Sequence, residues 1–386
     1  MASGDVAVEN LVYATLSAPM AVIRANPFFR AFVCSFLTNV PSARLVLFTH
    51  PPDTTALLST HLRHPRIGIQ PLEVEARSLQ HARYSSYLGH LRRLSQKRRV
   101  SSSALQEAAS SLMPVRVAMV DATDVIFQAD PFVSFSKAES HGEHSSIYFT
   151  EESRDYNLGL QQSNALWVRE LYGKSILSRL QAFPVLCSGF TMGHAASVDH
   201  YLSLMREQVQ LLERKGLVER LRKRVGRDLS RGFDQGVHNV LARLGQLTAN
   251  GANLTLHELQ LLDGPVLHGN GARLGRHFAL DKTLLRPPRH KQVQRLHKDT
   301  AQAPSFAVVH QYGKMRPKSM QSRLRRALTC REQLSTTPSA GGSSAGSANA
   351  RGDVPDGSLP LYCTRASLPC SGATWLGSVA WNRSGV

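Results

Sequence analysis

The chain has 386 residues, of which 42% are hydrophobic, so it is long enough for one large or two ordinary domains with a sizeable core. Its 46 lysines and arginines against 28 aspartates and glutamates give a net charge of +18, which favours polyanionic partners such as nucleic acid, anionic membranes or phosphate-bearing small molecules. The sequence contains no run of about 18 apolar residues and no signal peptide at its start, which argues against a membrane span and a visible secretion signal.

The first third of the chain alternates short apolar runs with segments of helical periodicity. These patterns predict strand 11–16, helix 26–39, strand 43–48, a turn at 51–53, helix 57–62, strand 67–72 and helix 79–99. Such an alternation favours an α/β fold with a Rossmann-like, mostly parallel central sheet flanked by helices. Thr15, near the carboxyl end of the first strand, is either an ordinary strand residue or faces a bound nucleotide.

The predicted helix 79–99 ends in the basic run RRLSQKRR. This run is either the solvated face of a helix or a patch for nuclear import or nucleic-acid binding.

The segment 115–132, VRVAMVDATDVIFQADPF, predicts a buried strand that ends in two carboxylates, Asp121 and Asp124. A carboxylate pair there is costly unless a positive charge neutralises it, and open α/β sheets bind ligands at that edge. A Mg²⁺ or Mn²⁺ ion together with phosphate oxygens suits such a pair, although aspartates also form ordinary turns. Asp130, before Pro131, predicts a helix N-cap.

The second half of the chain continues the alternation less regularly. It predicts strand 146–150, helix 164–180, strand 183–192 running into a turn-permitting Cys-Ser-Gly, a long helix or helix pair at 200–229, a helix start near residue 233, short strands within 256–267, and strand 306–309. From about residue 334 the composition becomes rich in Ser, Gly, Ala and Pro. We therefore expect a folded domain over residues 1–330 and a flexible tail over 331–386.

Three further motifs contain polar residues that are candidates for ligand binding or catalysis. They are Cys187-Ser188-Gly189 with the preceding Asn164 and Trp167, the run GFDQGVHN at 232–239, and the run HQYGKMRP at 310–317. Each has a structural alternative. His310 is then a hydrogen-bonded structural histidine, Asp234 an N-cap, Cys187 a small buried side chain, and Asn164 and Trp167 the core and surface of one helix.

Taken in this order, the motifs resemble nucleotide-diphospho-sugar glycosyltransferases of the GT-A type over residues 11–318. DATDVIFQADPF is similar to the DxxDVxFQxDPF segment of one glycosyltransferase-like group, and HQYGKMRP resembles the HxxGxxKP motif of glycogenin-like transferases. The resemblance implies a GT-A-like fold and transfer of a sugar from a nucleotide diphosphate sugar to a glycan or glycoprotein, with Mn²⁺ or Mg²⁺. It also implies the Golgi or another secretory lumen.

The resemblance further implies roles for individual residues. The metal ligands would be Asp121, Asp124 and His310, and the acceptor would contact Asn164, Trp167, Cys187, Ser188 and Gly189. The donor would contact Thr15, Arg83, Tyr87, Asp121, Gly313, Lys314 and Arg316. Thr123 and Arg316 depart from the pattern, because the group often has arginine and lysine at these places. Glycosyl transfer also needs a carboxylate or amide near the anomeric carbon, for which we expect Asp234 with Gln235, then Glu151 or Glu152.

Two other functions stay open at this point. One is a basic nucleic-acid-binding protein without catalysis, which is not expected because the sequence has no zinc finger, RNA-recognition motif or aromatic-studded basic platform. The other is an inactive protein of transferase fold that binds glycans.

Overall fold

A computed structural model describes residues 9–73, 78–103, 114–133, 145–152, 157–230, 232–248, 254–259, 266–268, 279–281, 284–286 and 307–310. Within these residues, no helix combines the length and the apolar character needed to cross a membrane.

The strands form a large central sheet and two small sheets. In chain order they are β1 (Glu9–Ser17), β2 (Ala43–His50), β3 (Ile67–Pro71), β4 (Val115–Asp121), β5 (Val125–Phe127), β6 (Ser146–Glu151), β7 (Leu186–His194), β8 (Thr255–Leu259), β9 (Val266–His268), β10 (Ala279–Asp281), β11 (Leu284–Arg286) and β12 (Val308–His310). The seven-stranded sheet has the order β3-β2-β1-β4-β7-β6-β8. Strand β7 runs antiparallel to β4 and β6, whereas the other neighbouring strands are parallel.

Helices connect these strands and cover the sheet. They are α1 (Met20–Ala25), α2 (Pro27–Asn39), α3 (Pro52–His61), α4 (Leu79–Ser103), α5 (Gln162–Tyr172), α6 (Lys174–Leu180), α7 (Ala195–Arg214), α8 (Leu217–Ser230) and α9 (Phe233–Arg243). The side chain of Asn26 starts α2 by accepting hydrogen bonds from the N–H groups of Phe28 and Phe29. Asp130 likewise accepts from the Phe132 N–H at a helical turn that begins at Pro131, which confirms the predicted N-cap.

The central sheet is buried on both faces. Along β1, Leu11 and Tyr13 belong to a core covered by α4, α7 and α9, whereas Val12 and Ala14 belong to a second core covered by α2 and α3. Burial on both faces explains why the strands read as continuous apolar runs rather than as alternating patterns. The predicted α/β architecture with a mostly parallel central sheet and flanking helices is confirmed.

Three local predictions are wrong. The helix predicted at 164–180 is two helices, because Gly173 between α5 and α6 has a φ of 92°, a left-handed value that glycine adopts readily. Cys187, Ser188 and Gly189 form no turn and lie inside β7. Residues 51–53 do not form the predicted turn, because Pro52 begins α3.

Strand pairing brings the motif residues to one edge of the sheet. Strands β1 and β4 are parallel and in register, so that Thr15 lies opposite Asp121 at their carboxyl ends. In the three-stranded sheet, β12 pairs antiparallel with β5 and places His310 opposite Val125, the residue after Asp124. Two separate sheets therefore deliver the two carboxylates and the imidazole to the same place.

His238 in α9 is a buried imidazole near the sheet. Its ring centroid lies 4.3 Å from that of Phe149, and its Nδ1 is 2.9 Å from the hydroxyl of Tyr201. Burial, helped by the positive charges of Arg243 and Arg83, lowers the pKa of His238 to about 3.

This lowered pKa predicts a loss of stability in acid. Between the ordinary histidine value of about 6.5 and pH 3, the unfolded chain binds a proton at His238 that the folded chain does not. Above pH 6.5 the buried neutral His238 therefore causes no pH-dependent loss of stability. Below that pH the free energy of unfolding falls by up to about 1.4 kcal/mol per pH unit. Urea unfolding between pH ~6.5 and ~4.5 should show a shallower pH dependence in His238→Gln than in the wild type. The partly exposed His61→Gln serves as control, and parallel curves for His238→Gln and wild type would contradict the prediction.

Candidate metal and ligand site

A cavity of about 560 Å³ opens at the carboxyl ends of β1 and β4. Its volume is in the range of roughly 300–1,000 Å³ that is usual for small-molecule sites. The residues predicted for the site that line it are Thr15, Arg83, Asp121, Asn164, Trp167, Ser188, Gly189, Asp234, Gln235 and His310.

Asp121, Asp124 and His310 form a compact group that could hold a metal ion. His310 Nε2 lies 3.4 Å from Asp121 Oδ2 and 3.4 Å from Asp124 Oδ1, and one ligand atom of each residue lies within 4.8 Å of the others. Asp124 Oδ1 is buried and, apart from its ion-pair contact with His310 Nε2, makes no hydrogen bond of good geometry among the described residues, so a bound cation would stabilise it. Two carboxylates and an imidazole suit several divalent cations.

The charge around His310 favours a cation at this place. Burial by itself lowers the pKa of His310, but Cys187, Asp124 and Asp121 outweigh that effect and raise the pKa well above its ordinary value. Negative charge that favours a proton on Nε2 also favours a divalent cation there.

Strand β7 holds the imidazole from behind. Cys187 is buried, its Sγ lies 3.4 Å from His310 Nδ1, and the same sulfur accepts a hydrogen bond from the Gly189 N–H. A Cβ atom on Gly189 would lie 2.5 Å from His310 Nε2 and 2.7 Å from Asp121 Oδ2, which is closer than real atoms approach. The cysteine therefore lies behind the histidine rather than on the cavity wall, and the glycine allows the two metal-binding side chains to meet.

Arg83 of α4 links the metal-binding group to the rest of the cavity. Its Nη1 donates to Asp121 Oδ1 at 3.2 Å and lies 4.0 Å from Asp234 Oδ2. Its Nη2 donates to the Ser188 carbonyl at 3.3 Å. The guanidinium is thus fixed between two carboxylates and a backbone carbonyl.

Two tyrosines of α4 form hydrogen bonds, from inside the core, to residues that line the cavity. Tyr84 donates to Asp234 Oδ2 at 3.0 Å, and Tyr87 accepts from the Thr15 hydroxyl at 2.8 Å. Tyr87 is fully buried, so it orients Thr15 and does not reach the cavity. Burial raises the pKa of Asp234, although Arg83 opposes the shift.

Asp234 is not the helix cap that the sequence left open. Helix α9 begins at Phe233 with Gly232 at the N-cap position, so Asp234 lies in the first turn and points its carboxylate towards Tyr84 and Arg83. This placement leaves Asp234 available to the cavity that it lines.

A further part of the cavity lining consists of polar side chains joined by hydrogen bonds. Gln235 Nε2 donates to Glu152 Oε1 at 3.0 Å and to Asn164 Oδ1 at 3.2 Å. Asn164 Nδ2 donates in turn to Gln161 Oε1 at 3.0 Å. Glu152 lines the cavity and is almost fully buried, whereas its neighbour Glu151 belongs to β6 and is not part of the lining.

Trp167 packs against the start of α9 at two glycines. A Cβ on Gly232 would lie 2.7 Å from the Trp167 Cζ2, and one on Gly236 would lie 2.9 Å from the Trp167 Cβ. These glycines let α5 approach α9 and fix the indole at the edge of the cavity.

Sequence reasoning missed several residues of the lining, namely Ser17, Ala18, Leu79, Gln80, Gln161 and Ser163. Their position could have identified them, although their chemistry could not. They lie at the end of β1 or at the starts of α4 and α5, by the sheet edge where ligands bind. The predicted donor residues Gly313, Lys314 and Arg316 lie outside the described residues.

No protein-family model matches the chain, and no curated protein matches its sequence. The function therefore has to be inferred from the geometry of the site and from the sequence motifs.

Gly189 provides a steric test of the metal-binding group. Gly189→Ala should weaken Mn²⁺ binding by roughly tenfold or more, since its methyl group would occupy the space of His310 Nε2 and Asp121 Oδ2. Electron paramagnetic resonance of Mn²⁺ would measure the affinity. Gly68→Ala is a matched control because the nearest atom to its Cβ is 3.9 Å away. Equal affinities in both variants would contradict the arrangement.

Asn239 anchors β7 beneath the site, and its loss should destabilise the fold. Its side chain accepts from the Leu186 N–H and donates to the Leu186 carbonyl, both at 2.8 Å. Asn239→Ala would leave both buried backbone groups unpaired, at a cost of roughly 2 kcal/mol or more in chemical unfolding. Asn157→Ala, which removes an exposed hydrogen bond to the Leu160 N–H, should cost about 1 kcal/mol or less. Equal losses would refute this role for Asn239.

Proposed function

We propose that the chain is a divalent-metal-dependent glycosyltransferase of GT-A-like fold. It moves a sugar from a nucleotide diphosphate sugar to a glycan or glycoprotein acceptor, and its cofactor is Mn²⁺ or Mg²⁺. The observation that carries the proposal is the group of Asp121, Asp124 and His310 beside Arg83. Asp121, His310 and Arg83 line one cavity at the carboxyl edge of a mostly parallel sheet. The motif resemblance, which includes the same residues, also supports it.

The first requirement of the reaction is to neutralise the departing diphosphate. A divalent cation bound at Asp121, Asp124 and His310 would supply that electrostatic help. Arg83 adds a positive charge that is already oriented by Asp121 and the Ser188 carbonyl, so little reorganisation is needed when a phosphate arrives.

The second requirement is a group near the anomeric carbon. Asp234 is held by Tyr84 and Arg83, and Gln235 follows it on the same wall. A carboxylate in this position can stabilise the positive charge that develops on the sugar or accept the proton of the attacking hydroxyl. Trp167, on α5, offers an apolar ring to an acceptor glycan. Asn164 is fully buried and its amide is bonded to Gln235 and Gln161, so it orients Gln235 rather than contacting the acceptor. Gly313, Lys314 and Arg316 stay donor-binding residues by resemblance alone.

The test is hydrolysis and binding of a panel of UDP- and GDP-sugars with and without Mn²⁺. We expect metal-dependent turnover in the wild type and a loss of roughly a hundredfold or more in Asp124→Asn and His310→Ala, because each substitution removes a metal ligand. Asp199→Asn is the matched control, since Asp199 pairs with Arg92 at the surface.

Three results would overturn the proposal. Turnover that does not depend on metal and survives both substitutions would remove the metal-binding group from the mechanism. Strongly salt-dependent binding of nucleic acid without any effect of sugar nucleotides would indicate a basic binding protein instead. Binding of the donor without transfer of its sugar to any acceptor or to water would indicate an inactive protein of transferase fold that binds glycans.

A further inference from the structure

Two helices carry basic runs, and they differ in how far acidic side chains compensate them. In α4, three arginines pair with carboxylates, namely Arg92 with Asp199, Arg93 with Glu73 and Arg98 with Glu9. Much of the charge of the RRLSQKRR run is therefore balanced within the fold. This pairing favours the interpretation of that run as a solvated helix face.

Helix α8 carries a basic surface with little acidic compensation. Residues 214–225, which include the start of this helix, contain six basic residues against one acidic residue. Arg220, Lys223 and Arg224 are spaced i, i+3 and i+4, so they lie on one side of the helix, which we name the basic face. All three side chains are exposed.

Two of these three charges have no carboxylate partner. Arg220 and Lys223 form no hydrogen bond or ion pair with any residue that the structure describes. Arg224 Nη1 donates to Glu170 Oε2 at 2.5 Å, yet its side chain stays 61% exposed. The basic face therefore offers positive charge to an anionic ligand.

The ion pair of Arg224 locates the basic face beside the cavity. Its partner Glu170 follows Trp167 by three residues on α5, so the Cβ atoms of the two residues are neighbours at roughly 5–6 Å. Trp167 lines the cavity, and α8 packs against α5. A ligand that leaves the cavity past Trp167 therefore reaches the basic face after about one helical turn.

We propose that the basic face binds an anionic acceptor glycan, which carries carboxylate or sulfate groups beyond the unit that receives the sugar. The inference rests on the proposed transferase function and names the acceptor class of that reaction. Continuity with the cavity favours a substrate over nucleic acid or a membrane, neither of which has a reason to bind beside this opening. The ring of Trp167, between the cavity and the cations, favours a glycan over an acidic peptide, because an indole face attracts the C–H groups of a sugar ring.

The test compares oligosaccharides of equal length that differ in charge. Isothermal titration calorimetry on the full chain would measure galacturonic acid octasaccharide against its methyl ester, and sulfated against unsulfated maltooctaose. For at least one pair, we expect the anionic form to bind at least about tenfold more tightly, with a difference that shrinks as salt is added. Equal binding within both pairs, or no binding of either anionic form, overturns the inference.

A double variant identifies the surface responsible. Arg220→Gln with Lys223→Gln should weaken binding of the anionic octasaccharide by roughly fivefold or more. Arg44→Gln with Arg63→Gln removes the same charge from exposed positions in β2 and after α3, and should change that affinity by less than about twofold. Equal losses in the two double variants would show an effect of net charge alone and would refute the role of the basic face.

A substitution at the cavity edge tests whether the cavity and the basic face bind one ligand. Trp167→Ala should weaken binding of the anionic octasaccharide by about threefold or more, and Trp167→Phe replaces it if the alanine variant does not fold. Unchanged affinity in the folded variant would overturn the acceptor role and leave a separate anion-binding surface.

Other polyanions supply the competing interpretations. A 12-base-pair DNA duplex, phosphatidylserine vesicles and hexaglutamate would be titrated against the same variants. If the double variant at Arg220 and Lys223 loses more affinity for one of these than for the anionic octasaccharide, that partner replaces the glycan and the inference fails.

The outcomes separate the two proposals. Metal-dependent turnover of a sugar nucleotide, without preference for the anionic octasaccharides, contradicts only the acceptor class. Charge-selective binding at the basic face, without binding or turnover of any sugar nucleotide, contradicts the proposed transferase and with it the acceptor role.

Discussion

The concentration of carboxylates at the end of β4 is the constraint on which the structure depends. Asp121 and Asp234 line one cavity and Asp124 lies beside Asp121, and such a cluster would repel itself without compensation. Arg83 compensates part of the charge by contacting Asp121 and approaching Asp234, and His310 compensates the remainder from the other side. A cation then fits the same balance that already favours a proton on the imidazole.

The surrounding fold keeps these groups in place with small and amide side chains. Gly189 leaves room for the imidazole against β7, and Cys187 contacts the far nitrogen of the same ring. Asn239 pins the backbone of Leu186 at the start of that strand. The strand that crosses beneath the site is therefore held by one face of α9, the helix that also supplies Asp234. Helix α9 therefore couples the position of the metal-binding group to the position of the proposed catalytic carboxylate.

The cavity is divided by charge in a way that suits a sugar nucleotide. One side gathers Arg83 and the metal-binding group, which together favour phosphate once a cation is present. The lining also includes Glu152 and Gln235, which are joined by a hydrogen bond. In a nucleotide diphosphate sugar the negative charge lies on the diphosphate, which is the part that these groups would bind.

The sequence by itself determined the strands and the carboxylate pair, because a buried strand and the residues that follow it are read from a local run of side chains. It placed Asp121 at the sheet edge and Asp130 at a helix start on the same ground. Only the tertiary structure decided that Cys187 contacts His310 and that Gln235 donates to Glu152 and Asn164. Those relations depend on contacts between segments distant in the chain, for which local periodicity carries no signal.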